Sequence, residues 1–300
     1  MRFGISDQIC KHMNMIKQLT ISVLFLALLP SLNINFLYAI EDMFGISEIY
    51  PTAPNGTEWF SSWDNGHTRE LTYGQRDPYD GIELTGDGTL QVEGEDGIAT
   101  ASGNAPRIRV VDLDFNNTEI TFYGKRVSES EEISYQGFVV GGRSKHYTDD
   151  TCYVNTLYSR FTYDGRVSFE KEIFHGEGEQ AQYPLFEEPK YIWPTDPNDA
   201  DGIPFDQWIG MKFVIRTLDD GEGPYVLLEV YRDLTDGQNG GDWEKVLEYK
   251  DIGDWYVDAP EGICDNYPHN KIILIPGFVF IRNDFVDDVQ YKKFSIREIS

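Results

Sequence analysis

Short runs rich in Val, Ile, Phe, Tyr and Thr recur between clusters of Gly, Asp and Asn, and this repetition confines the chain to a fold made of strands. The runs cover 108–111, 119–123, 137–141, 155–163, 167–174, 208–217, 225–231, 244–249, 272–281 and 289–299. No window of about a dozen residues carries the apolar period of an amphipathic helix, which leaves helix to minor turns. Tyr163-Asp164-Gly165-Arg166 sets Asp-Gly between two runs. That pair is a strong hairpin signal, because the tight turn needs positive φ at its centre. An all-β sandwich or barrel is expected, and alternating β and α units are excluded.

The first 39 residues read as a secretory signal peptide. Lys11, His12 and Lys17 precede an apolar stretch, and small Ala39 closes the triplet Leu37-Tyr38-Ala39, where cleavage is expected. The densest apolar run, 21–30, falls short of the roughly 20 residues that a membrane-spanning helix needs. The mature protein is therefore expected outside the cell, without a stable membrane anchor. Removing Arg2, Lys11, Lys17 and Asp7 with this segment leaves 22 Lys+Arg against 50 Asp+Glu, so the net charge moves from −26 to −28. Such a field repels nucleic acid and anionic lipid. The remaining length suits one large β domain or two small ones, and a single domain over 57–300, preceded by an N-terminal segment over 40–56, is expected.

Cys10 leaves with the signal. Cys152 and Cys264 remain, and an oxidising compartment permits one disulfide between them. Asn55-Gly56-Thr57 and Asn116-Asn117-Thr118 are glycosylation sequons if the host modifies them.

Against this acidic background, residues 141–175 gather Arg143, His146, Tyr158, Arg160, Lys171 and His175. Five basic residues there meet five acidic ones, so the segment is locally neutral. With a screening length of about 8 Å at physiological salt, such a region can present its cations to an anionic ligand. Side chains alternate along a strand, so Tyr158, Arg160 and Thr162 share one face, and Leu157, Ser159, Phe161 and Tyr163 form the better core face. Lys171 falls with Val167, Phe169 and Ile173; it either snorkels at the sheet edge, the favoured reading, or is buried with a partner. A bulge at Gly141-Gly142 would re-aim Arg143 and His146.

The order of strands, the segment Trp208-Ile209-Gly210-Met211-Lys212, the strand over 225–233 and the closing Phe294-Ser295-Ile296-Arg297-Glu298-Ile299 resemble the concanavalin A-like lectin and glucanase superfamily. The resemblance implies a two-sheet antiparallel jelly-roll sandwich, similar in character to secreted polysaccharide lyases and carbohydrate-binding domains. The glucanase branch carries Glu-x-Asp-x-x-Glu on one strand, whereas Glu170-Lys171-Glu172 lacks both the spacing and the central Asp. Arg69-Glu70-Leu71 and Gln290-Tyr291-Lys292 match only fragments of the alginate-lyase strands. No catalytic residue carries over from either branch.

Eliminative cleavage of a polyuronate needs a cation for the sugar carboxylate, a base for the C5 proton and an acid for the leaving oxygen. Arg143, His146, Tyr158, Arg160 and Lys171 contain these types and are the catalytic candidates of the sequence. Polysaccharide is the expected partner. A polysaccharide lyase that cleaves a uronate-containing glycan is the leading reading, and three others stand beside it. A hydrolase would use Glu170 and Glu172 as its carboxylate pair. A carbohydrate-binding module would use platforms among Trp59, Trp63, Tyr183, Trp193, Trp208, Trp243 and Trp255. The last is a structural cell-surface protein. No cofactor is required, although the loop over 233–242 offers Asp233, Asp236, Asn239 and Asp242 as hard oxygen ligands for a structural calcium. A similar acidic stretch, DPNDADG, runs over 196–202.

Overall fold

The computed structural model describes residues 40–130, 136–145, 154–173, 190–191, 202–255, 271–284 and 286–300. The strands among them are β1 (Glu58–Phe60), β2 (Arg69–Thr72), β3 (Ile82–Thr85), β4 (Thr89–Glu93), β5 (Ile98–Gly103), β6 (Arg107–Val110), β7 (Thr118–Ser128) and β8 (Gly137–Lys145). They continue with β9 (Asn155–Thr162), β10 (Arg166–Glu172), β11 (Lys190–Tyr191), β12 (Trp208–Asp219), β13 (Pro224–Asp233), β14 (Glu244–Asp251), β15 (Phe278–Arg282) and β16 (Val286–Glu298). Each expected run lies on a strand, although 272–281 shortens to β15. The sequence reading passes over β1 to β5. These are short and carry Glu, Thr, Ala and Ser, so they give little apolar signal.

All named pairings are antiparallel and build two sheets. The nine-stranded sheet runs β14-β13-β12-β7-β16-β5-β4-β2, with β1 paired to β16 off this path. The seven-stranded sheet runs β11-β10-β9-β8-β15-β6-β3. Hence the last strand of the chain sits mid-sheet, between β7 and β5. Residues 40–300 form one compact unit.

The sheets bury their facing sides in one core. Ile82, Ile108, Phe138, Val140, Leu157, Phe161, Val167 and Phe169 contribute from one sheet. Ile120, Phe122, Met211, Phe213, Val226, Leu228, Tyr291 and Phe294 contribute from the other. Lys171 shares the inner side with Val167 and Phe169, and its Nζ lies 2.8 Å from Asp251 Oδ2 of β14, with both side chains fully buried. It also donates to the Lys271 carbonyl at 3.0 Å. The sequence reading favoured a snorkelling lysine; the structure corrects it to the buried, paired alternative, because Asp251 crosses from the opposite sheet to meet it. Burial pushes the Lys171 pKa down and the Asp251 pKa up, and their attraction only partly offsets this.

The outer side of the nine-stranded sheet is also covered. Residues 40–56 lie on it, and Glu119 of β7 receives the backbone N–H groups of Ile49 and Tyr50. The same carboxylate pairs with Lys212 Nζ at 2.8 Å and Arg297 Nη2 at 2.9 Å. Burial works against its charge, but Lys212 and Arg297 outweigh it and hold the Glu119 pKa below the usual carboxylate range. Val214, Tyr231 and Ile299 pack there with Ile49, Tyr50 and Trp243.

Two predictions follow from these buried charges. Lys171→Ala is expected to cost about 3–5 kcal/mol in urea unfolding, because it strands Asp251, whereas Lys171→Met with Asp251→Leu is expected to restore most of the loss. Equal losses in the single and double variants would refute the pairing as its cause. Glu119 has a depressed folded pKa, so its contribution is complete above the ordinary carboxylate pKa and disappears as pH falls through the folded value. Glu119→Gln should therefore destabilise the protein at neutral pH and flatten the acid limb of its stability profile; an unchanged acid limb would contradict this.

Candidate functional site

The outer face of the seven-stranded sheet carries the chemistry. Pairing registers set Glu170, Tyr158, Gly141, Phe280, Arg109 and Glu83 in one row across β10, β9, β8, β15, β6 and β3. The adjacent row holds Ser168, Arg160, Val139, Arg282, Arg107 and Thr85. Alternation produces this: Ile108, Phe138, Leu157, Phe169 and Ile281 point inward, so their neighbours in sequence point out.

Aromatic rings and guanidinium groups are interleaved on this face. Val139, Tyr158, Phe278 and Phe280 form an apolar cluster of their own. Arg107 lies over the Phe280 ring at 4.8 Å, Arg109 over Phe278 at 5.2 Å and Arg282 over Tyr158 at 5.7 Å. Gly141 makes the arrangement possible, since a Cβ there would come within 2.4 Å of the Phe280 ring. Phe280 thus reaches Tyr158 edge-on, with centroids 5.7 Å apart.

Acids partner the cations. Tyr158 Oη donates to Glu172 Oε2 at 2.7 Å. Arg160 Nε lies 3.0 Å from Glu170 Oε1, and its Nη1 lies 3.4 Å from Asp284 Oδ2. Arg282 meets Asp284 at 2.9 Å, and Arg109 meets Glu83 at 2.9 Å. The two ends of the face differ in access: Tyr158, Arg160, Glu170 and Glu172 are buried, while Glu83, Arg107, Arg109 and Arg282 are half-buried.

Of the catalytic candidates, Tyr158 and Arg160 stand together on this face, as alternation predicts. Lys171 does not; it is held between the sheets by Asp251. Arg143 is also elsewhere. A bulge between Gly142 and Lys145, with Arg143 at φ 49°, turns this side chain toward the other sheet. There Nη1 donates to the Ile273 carbonyl at 2.7 Å and Nη2 donates to Thr217 Oγ1 at 2.8 Å. Burial draws its pKa down to about 10, still far above neutrality, so the group stays a charged brace between segments. His146, His175, Cys152, Cys264, Tyr183, Trp193 and the signal segment 1–39 lie outside the described residues, as do residues 196–201. Trp59, Trp63 and Trp255 are buried, and Trp208 and Trp243 are half-buried.

The sequence reading missed Arg107, Arg109, Phe278, Phe280 and Arg282. Its available signal was Arg107-Ile108-Arg109-Val110, a strict alternation of cation and core residue.

Two of the four expected calcium ligands, Asp233 and Asp236, are already engaged by the protein. Asp233 Oδ1 accepts from Thr235 N, Thr235 Oγ1 and Asp242 N, and Oδ2 accepts from Tyr123 Oη and Gly237 N. Both oxygens are thus occupied by protein donors. Burial opposes the charge, yet the bonds from Asp242, Thr235 and Gly237 prevail and lower the Asp233 pKa. Asp236 pairs with Lys292 at 2.6 Å. Among the described residues no group of three His, Cys, Asp or Glu side chains is placed to hold a metal.

No family model matches the chain, and no curated protein does. Solved structures do. A Bacillus subtilis protein with a galectin-like fold is 13% identical, with a TM-score of 0.42 over 80% of this chain and 98% of its own. The VIP36 luminal domain bound to calcium and Man3GlcNAc is 10% identical, at 0.43 over 78% and 91%. An alginate lyase from Chlorella virus is 9% identical, at 0.36 over 77% and 91%. These likenesses assign neither a family nor a residue role to this chain.

The loop predicts its own metal test. Chelator is expected to leave the melting temperature unchanged, whereas Asp233→Ala, which strands several buried donors, should lower it. A fall in melting temperature on chelation, reversed by calcium, would overturn this account of the loop.

Proposed function

We propose that this is a secreted protein that binds an acidic polysaccharide along the outer face of the seven-stranded sheet. The observation that carries the reading is the stacking of Arg107 and Arg109 over Phe280 and Phe278 at the accessible end of that face. A guanidinium held over a ring offers several donors, which suits a sugar carboxylate flanked by hydroxyls. The rings supply the apolar contact that a pyranose face requires. The protein's overall negative charge disfavours such a ligand at long range. At close range, among the described residues, Arg107, Arg109, Arg160 and Arg282 stand beside Glu83, Glu170, Glu172 and Asp284, and screening leaves the local charges to decide.

Cleavage by β-elimination is the second reading, favoured by Tyr158 and Glu172. Removal of the C5 proton leaves an electron pair that forms the C4–C5 double bond and expels the C4 oxygen, which takes up a proton. This reading gives Tyr158, hydrogen-bonded to the Glu172 carboxylate, the task of supplying that proton to the leaving oxygen. Its complete burial favours binding over cleavage.

Retention on immobilised alginate and polygalacturonate, with a neutral glucan as control, tests the first reading. The mature protein is expected to be held by a polyuronate, and Arg107→Ala with Arg109→Ala to weaken retention about tenfold or more, as expected for lost charge-assisted bonds. No retention on any polyuronate, or retention unchanged in the double variant, would reject it. The elimination reading expects ultraviolet absorbance to rise as unsaturated product forms, and to stop rising in Tyr158→Phe.

A further inference from the structure

We infer that a separate pocket, on the outer side of the nine-stranded sheet, binds a single sugar acid through Lys293. The pocket is a cavity of about 340 Å³ whose walls come from four distant parts of the chain. Met43 and Phe44 belong to the N-terminal segment, Trp63 follows β1, Asp96 and Gly97 form the β4–β5 turn, and Lys292 and Lys293 belong to β16.

The lysines are presented by a bulge. Tyr291 and Phe294 both point into the core although three positions apart, so the strand holds one residue more than alternation allows. The register slips between Lys292 and Ser295, opposite Tyr123 and Thr121 of β7, and Lys293 has φ 51°. Both lysines therefore stand on the outer side, where each ammonium lies within about 6 Å of the Tyr123 ring. The core would accept a strand one residue shorter. The extra residue appears only as a second ammonium at the pocket, and bulges of this kind often re-aim functional side chains.

The charges of the pocket are incompletely matched. Lys292 pairs with Asp236, but among the described residues Lys293 makes no ion pair, and no ion pair or side-chain hydrogen bond engages Asp64 or Asp96. Trp63 is buried, and its indole N–H has no acceptor. An ammonium and two carboxylates thus face one cavity beside aromatic rings. A hexuronate answers each of them: a carboxylate for Lys293, hydroxyl donors for Asp64 and Asp96, and a C–H face for Phe44. The sugar-acid class follows the function proposed above. The residues are on the other sheet and stand independently of it.

The test titrates the mature protein, residues 40–300, with sodium glucuronate and with glucose, following calorimetric heat and tryptophan emission. Saturable glucuronate binding is expected, at least about tenfold weaker in Lys293→Asn and in a variant lacking Lys293. Asn tolerates the positive φ at this position, and melting temperatures near wild type would exclude unfolding as the cause. The Arg107→Ala, Arg109→Ala variant should bind glucuronate as wild type does. Absent binding, binding undiminished without Lys293, glucose bound as well as glucuronate, or binding lost only in the arginine variant would each overturn the inference. The last two would leave the proposal for the seven-stranded sheet untouched.

Discussion

Both sheets are covered on both faces through much of their area, and this two-sided burial governs the placement of charge. Every residue of β9 is buried, and so are Glu119, Lys212 and Arg297 across the outer side of the other sheet. A charge in such a place costs several kcal/mol unless partners meet it directly. The structure answers with short closed networks: Glu119 between two cations, Arg160 between two carboxylates, and Lys171 against Asp251. A protein of strongly negative overall charge thus keeps its interior nearly balanced.

The candidate site inherits that rule. On the seven-stranded sheet the arginines already have acidic neighbours, so a polyuronate would compete with Glu83 for Arg109 and with Asp284 for Arg282. Such competition tempers affinity and favours an extended ligand that makes several contacts at once. The Lys293 pocket works by the opposite principle, leaving charges apart across a cavity instead of joining them.

Much of the fold was legible, because period-two alternation fixes what faces the core. Tyr158 and Arg160 fall on the outer side as their spacing requires, and Lys171 falls inward for the same reason. Its partner could not be read, since Asp251 lies eighty residues away on another sheet. Arg143 escaped because one residue in a left-handed conformation reverses its direction, and that depends on packing at the sheet end. Phe278-Val279-Phe280-Ile281 shows the remaining difficulty: a strand buried on both sides has no alternation with which to announce a special face.

The position of β16 has a further consequence. β7, β12, β13 and β14 make one half of the nine-stranded sheet, and β5, β4 and β2 make the other. Among the described strands β16 alone joins them, and it also carries β1 along its length. During synthesis the two halves exist before the strand that unites them, so the sheet closes only when the final residues arrive. Contacts of such long sequence separation make for slow folding. Until β16 is in place, the two halves expose the edges of β7 and β5 that it will pair with.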